Sequence, residues 1–161
     1  MENILDAAMG DMIIKLSIAL ILGVIIGLER VWAKKTAGMR TFALVSMGSA
    51  LFIIISQLMV DYYSGFGDVN PLRMASQIIT GIGFIGTGVI FSKGSMQTGI
   101  TTATSLWVVA GIGMAVGFGL FKLAIIATIL TLFIFIVLWF VETAIKKSKA
   151  YQENTIEPDI N

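Results

Sequence analysis

NPLRMASQIITGIGFIGTGVI, residues 70–90, sets four glycines, Gly81, Gly83, Gly86 and Gly88, in a long apolar run whose only charge is Arg73 near its start. Two readings compete for it. Gly81, Gly83 and Gly86 have the spacing of a dinucleotide-binding turn, in which glycines let the backbone approach a pyrophosphate between a strand and a helix. Such a turn requires a βαβ unit and an acidic residue about 20 positions further on to hold a ribose. No carboxylate occurs between Asp68 and Glu142, and the flanking apolar runs have the length of membrane spans. The glycines therefore read as helix-packing surface in a bilayer, where small residues let backbones approach closely.

The rest of the chain agrees. Hydrophobic residues make up 57% of 161 positions and charged residues 13%, and the mean hydropathy is +0.91, too apolar for a water-facing coat. The composition implies an all-α polytopic membrane helix bundle in contact with the lipid bilayer, with no nucleic-acid partner. Cys and His are absent, which removes disulfides, thiolate chemistry and the commonest metal ligand together; no cofactor and no metal site is expected. The N-terminus, MENILDAAMGDM, carries Glu2, Asp6 and Asp11 but no basic residue, whereas a secretory signal begins with a positive segment. The first apolar run is therefore expected to stay as a helix.

A spanning helix needs about 20 mostly apolar residues. Five segments approach that length: 12–28, 39–60, 72–92, 102–117 and 121–145. With the N-terminus outside, the cytoplasmic segments hold Arg30, Lys34, Lys35, Arg40, Lys93, Lys146, Lys147 and Lys149, eight of the eleven basic residues. Cytoplasmic loops are enriched in such residues, so the N-terminus is expected outside and the C-terminus inside. The division that follows is an extracytoplasmic segment 1–11, a transmembrane domain 12–145 and a cytoplasmic polar tail 146–161, with 1–11 and 150–161 mobile.

Helix five, with IIATILTLFIFIVLWF, is large and apolar on all sides and suits lipid contact. Helices one, three and four carry small residues at helical spacing, Ala19, Gly23 and Gly27 in one and Gly113 and Gly117 in four, and are expected to form the packed centre. GVI at 23–25 recurs at 88–90, each time before a basic loop and then GMRT (38–41) or GITT (99–102). Either helices one and two repeat as helices three and four, a parallel repeat of two hairpins, or the similarity is chance in a Gly-rich chain.

GVIIGLER (23–30), TAGMRTFALVSMGSALF (36–52), PLRMASQIITGIGFIGTGVI (71–90) and GITTATSLWVVAGIGMAVG (99–117) together resemble the MgtC/SapB family of bacterial inner-membrane proteins, in order and spacing over residues 15–121. The resemblance implies an inner-membrane protein linked to low magnesium, acid resistance and survival inside host cells. Some members are described as restraining the membrane ATP synthase rather than carrying magnesium, which implies such a complex as partner. The family usually has Asp where this chain has Asn70. Longer members continue into a soluble cytoplasmic domain, so the chain reads as a short form.

Ionisable groups inside a bilayer are costly and usually face the bundle or a water-filled cavity. Glu29 and Arg30 close helix one while Arg40 and Thr41 open helix two, so these four are expected to meet as a functional polar cluster near the cytoplasmic interface, with Glu29 paired to Arg40 or Arg30. Lys34 and Lys35 read as topology anchors. Asn70, Arg73 and Gln77 form a second, outer focus. Helical spacing puts Arg73, Gln77, Gly81 and Gly88 on one stripe, either a narrow pathway or a helix contact capped by a snorkelling arginine. Thr101, Thr102, Thr104 and Ser105 open helix four and are expected to cap it. Asp11 and Lys15 should pair as i, i+4 neighbours. Trp32, Trp107 and Trp139 read mainly as interfacial or packing aromatics, with Trp107 the one expected to be buried.

Catalysis has no support in the sequence: no nucleophile and base are spaced for acyl transfer, no phosphate loop precedes a helix, and Glu29 lacks a second carboxylate. Magnesium is normally held through carboxylates, which the spans between Asp68 and Glu142 lack. The expected role is support of magnesium or envelope homeostasis by contact with a second copy, as a homo-oligomer, and with another membrane complex. The alternative is a small ion or solute channel with a glycine-lined path between polar ends.

Overall fold

The computed structural model describes residues 2–62, 70, 72–93 and 96–147. Helix α1 (Glu2–Trp32) is followed by α2 (Met39–Tyr62), α3 (Leu72–Val89), a two-stranded ribbon of β1 (Phe91–Lys93) and β2 (Met96–Thr98), and α4 (Ile100–Gly117). A last rod runs through α5 (Phe121–Phe133), a π-helical turn (Ile134–Leu138) and α6 (Trp139–Lys146). Among the described residues four runs, Met9–Trp32, Met39–Val60, Ile100–Gly117 and Phe121–Lys146, are long and apolar enough to cross a membrane. Helix α3 has 18 residues and carries Arg73, Ser76 and Gln77 in its first turns. The all-α membrane bundle is thus the observed fold, with the ribbon as a small addition.

Two boundaries differ from the sequence reading. Helix α1 already runs from Glu2, so the segment expected to be mobile up to Asp11 continues the helix; Ile4, Leu5, Ala7 and Ala8 are residues a helix accepts at little cost. Helix α3 ends at Val89 rather than continuing to Ser92. The β-branched and aromatic residues that follow suit a strand, and they pair antiparallel, Phe91 with Thr98 and Lys93 with Met96. Gly99 then turns the chain into α4 at φ 90°, and a Cβ there would collide with the Val89 carbonyl, so only glycine fits. The tail 150–161 lies outside the described residues.

The centre is built on α4. It is apolar around most of its circumference, the mark of an enclosed helix, and it packs against α1, α2, α3 and α5. Leu106, Val109 and Val116 are fully buried against Ile26, Phe42 and Ala50. The packed set is therefore α1, α2 and α4, not the expected one, three and four. Four glycines explain it. A Cβ at Gly23 would lie 2.6 Å from the Phe42 carbonyl oxygen, one at Gly27 2.6 Å from Met39 Cα, and one at Gly117 2.8 Å from Ile53 Cβ, while at Gly113 it would overlap the Ser46 carbonyl. These glycines bring α1 and α4 against the backbone of α2.

The glycines of residues 70–90 do not share that role. A Cβ at Gly81, Gly83 or Gly88 would meet nothing within 4 Å, and Gly86 makes only an ordinary contact, 3.6 Å, to Ala103. Helix α3 buries Ile78, Ile82 and Gly86, and the remaining glycines fall on its other faces. The stripe of Arg73, Gln77, Gly81 and Gly88 exists but is exposed along its length. Both hairpins, α1 with α2 and α3 with α4, are present. Their packing is unlike, since Gly23 touches a backbone and Gly88 touches nothing.

The last rod behaves as its composition implies: Leu123, Ile126, Ile129, Leu130 and Phe133 are exposed, while Ala124, Thr128, Thr131 and Phe135 face inward. Thr128 and Thr131 donate to the carbonyls of Ala124 and Ala127 at 2.8 and 2.7 Å, which satisfies hydroxyls that lipid or apolar neighbours cannot. Trp107, the tryptophan expected to be buried, is 55% exposed, level with Trp139. It falls with Ile100 and Thr104 on a face of α4 that is exposed among the described residues.

Candidate functional site

Asp11 pairs with Lys15 at 2.7 Å, and Lys15 reaches the turn at Gly119 between α4 and α5. This end of the bundle is opposite the one where α1 stops. At that second end the sequence LERVWAKK closes α1 in a Schellman arrangement: Lys35 N–H donates to the Arg30 carbonyl at 2.9 Å and Lys34 N–H to that of Val31 at 3.0 Å. The residue that must turn left-handed in such a cap is normally glycine. Here it is Lys34, at φ 53°, and a non-glycine residue held there costs roughly 1–2 kcal/mol.

One turn earlier lies Arg30, only 3% exposed. Its Nε and Nη2 both donate to Glu29 Oε2, and its guanidinium lies over the Phe135 ring, 3.5 Å from the centroid. A buried arginine is tolerated when its charge is paired and its flat face stacked, and both conditions are met. Phe135 belongs to the π turn. At ordinary helical spacing the inward stripe of Ala124, Thr128 and Thr131 continues to Phe135, beneath Arg30. A cavity of about 860 Å³ opens beside the pair. Its walls are the last turns of α1, with Ile25, Leu28, Glu29 and Arg30, the loop lysines Lys34 and Lys35, Thr101 of α4, and Leu132, Phe135, Trp139 and Glu142 of the last rod. Trp32 and Trp139, both exposed, flank it as interfacial aromatics do.

Of the four residues expected to cluster, two come together. Glu29 takes Arg30, one of the two partners expected for it, while Arg40 stands exposed in the first turn of α2 with no ion pair among the described residues and Thr41 is half-buried. The reason is rotation. The face of α2 that meets α1 presents Phe42 and Ala43, which turns Arg40 away. Phe135 was missed, because an evenly apolar run does not mark which of its faces a neighbouring helix covers.

The outer residues separate by role. The Asn70 side-chain oxygen accepts a hydrogen bond from Leu72 N–H at 2.9 Å, so Asn70 caps α3. Arg73 and Gln77 are exposed, and Arg73 has no ion pair among the described residues. At the start of α4 the expected capping does not occur. The cap position is Gly99, without a side-chain bond; Thr104 donates back to the Thr101 carbonyl at 3.0 Å and Ser105 to that of Thr102 at 2.7 Å. Hydroxyls buried in a helix start satisfy themselves on their own carbonyls. Thr102 and Ser105 are buried, Thr101 and Thr104 exposed.

Among the described residues, Gly23, Gly27, Gly113 and Gly117 are closed by neighbouring helices and Gly81, Gly83 and Gly88 have open space beside them. Among the described residues no three acidic side chains group to hold a metal.

The sequence profile of the MgtC family matches residues 16–144. The chain is 42% identical over 132 residues to YhiD of Escherichia coli (strain K12), a protein provisionally named a magnesium transporter, covering 77% of this chain and 59% of YhiD. It is 45% identical over 120 residues to protein MgtC of Salmonella typhimurium (strain LT2), 74% of this chain and 49% of MgtC. It is 38% identical over 122 residues to the uncharacterized protein slr0014 of Synechocystis, 76% and 50%. The chain thus spans about half to three fifths of the length of these relatives. No solved structure matches it. A family profile covering most of the chain, and relatives this similar over the bundle itself, make the chain a member of the MgtC family of multi-pass membrane proteins.

Proposed function

We propose that this protein supports magnesium homeostasis and stress adaptation from the bacterial inner membrane by contacting itself and another membrane complex, not by catalysis and not by carrying the ion on ligands of its own. The names of its relatives motivate the magnesium link, and the family resemblance motivates a complex such as the ATP synthase. One observation carries the contact reading: the outer face of α3. Phe84 there is 85% exposed, and Gly81, Gly83 and Gly88 leave open space beside it. Small residues around a protruding aromatic let a second membrane helix approach closely.

Gly81→Leu tests this. The variant is expected to unfold in detergent at the temperature of the parent, because its side chain enters open space, yet to fail to restore growth at low magnesium to a strain lacking the gene. It should also lose the cross-linked product that a cysteine at Ile85 forms with a neighbouring protein. Full complementation with cross-linking unchanged would overturn the contact reading. A magnesium flux into liposomes holding the purified chain, above that of empty liposomes, would replace it with transport.

The orientation is proposed from the basic residues, which gather at the end bearing Arg30, Lys34 and Lys35. In a chain without native cysteine, Leu120→Cys is expected to react with an impermeant reagent on intact cells and Ala33→Cys only after permeabilisation. The reverse pattern would invert the protein in the membrane.

A further inference from the structure

Beyond the contact role, and independently of it, the cavity at the end of α1 has the features of a lipid site. Two of its charges are internally balanced, Arg30 by Glu29 and Glu142 by Lys146 at 2.7 Å. Lys34 and Lys35 are the remaining charged residues of its lining; neither makes an ion pair among the described residues, although Lys35 is within electrostatic range of Glu142. Lys34 keeps this place at the expense of a left-handed backbone that glycine would adopt freely. Below the lysines the wall is apolar, with Ile25 and Leu28 from α1 and Leu132 and Ile136 from the last rod. Ile25 and Leu28 precede Lys34 by about two turns of α1, so the apolar lining runs along that helix away from the lysines.

A positive rim above an apolar gutter between two membrane helices is complementary to one class of molecule. We propose that this cavity binds an anionic phospholipid, its phosphodiester at Lys34 and Lys35 against the Arg30 wall and an acyl chain along Ile25, Leu28, Leu132 and Ile136. A free phosphate would use the rim but leave the gutter empty, and a zwitterionic lipid would use the gutter but bring no net negative charge to the two lysines.

The test is lipid retention by the purified full chain in detergent, read by native mass spectrometry during titration with phosphatidylglycerol or with phosphatidylcholine of the same acyl chains. Each lysine near an anionic headgroup contributes about fivefold, so the parent is expected to prefer phosphatidylglycerol by at least tenfold. Lys34→Gly with Lys35→Gln should abolish most of that preference, whereas Lys122→Gln at the opposite end should not change it. Because Lys34→Gly relieves the strained cap, the double variant should unfold in detergent no earlier than the parent, which separates lost binding from lost fold. Equal retention of the two lipids by the parent would overturn the proposal, as would an unchanged preference in the double variant. So would displacement of the lipid by millimolar inorganic phosphate, or equally tight binding of a six-carbon-chain phosphatidylglycerol, since either would show that the gutter contributes nothing.

Discussion

Gly113→Ala is expected to destabilise the bundle by roughly 3 kcal/mol or more, the upper range for overpacking a tight core, and to appear as a lowered unfolding temperature in detergent. The added methyl would overlap the Ser46 carbonyl, with the Ser46 Cα only 2.9 Å away. What stands in its way is backbone, which cannot rotate aside as a side chain can. The axis of α4 would have to move off α2, opening the seam where Leu106, Val109 and Ile112 meet Phe42 and Ala50. Gly111→Ala, two residues earlier on the same helix, is the matched comparison: its methyl would meet nothing within 4 Å. Alanine favours a helix over glycine by about 0.5–1 kcal/mol, so this variant should be as stable as the parent or more so. Equal losses for both variants would mean that α4 does not sit against α2 as described.

Arg30 and Glu29 carry the second large effect. Removing one member of a buried pair leaves an uncompensated charge and costs about 3–5 kcal/mol, whereas replacing both by neutral groups of similar size is often close to neutral. Arg30→Met is therefore expected to destabilise strongly, since it orphans the Glu29 carboxylate and strips the cation from the face of Phe135. Glu29→Gln in the same chain should recover most of the loss. A double-mutant cycle on thermal stability should thus show strong coupling between positions 29 and 30. Arg40→Ala should add independently to Glu29→Gln, because Arg40 is exposed and makes no ion pair among the described residues. Coupling of Glu29 to Arg40 in place of Arg30 would show that α1 and α2 are rotated relative to this arrangement.

Both results turn on the difference between what a residue is and where a neighbouring helix stands. The sequence by itself determined that the chain is a helical membrane bundle, because hydropathy and the roughly 20-residue length of a span are properties of each segment alone. It also determined the ends at which charges collect, the lipid-facing character of the last rod, and the Asp11–Lys15 pair, which is local to one helix. Family membership was legible for the same reason, since four motifs in order need no coordinates.

Only the tertiary structure decided which glycines are contacts. Gly23 and Gly88 open the same GVI triplet, yet one lies 2.6 Å from a neighbouring carbonyl once a Cβ is added and the other faces open space. Which side of a helix is covered depends on its neighbours, and helical periodicity supplies only the stripe. The same holds for Trp107 on an exposed face of α4, for Glu29 choosing Arg30, and for Phe135 lying under the guanidinium. Between apolar helices in lipid the packing is settled by close steric fit and a few polar bonds, and those are properties of pairs of helices that no single stretch of sequence contains.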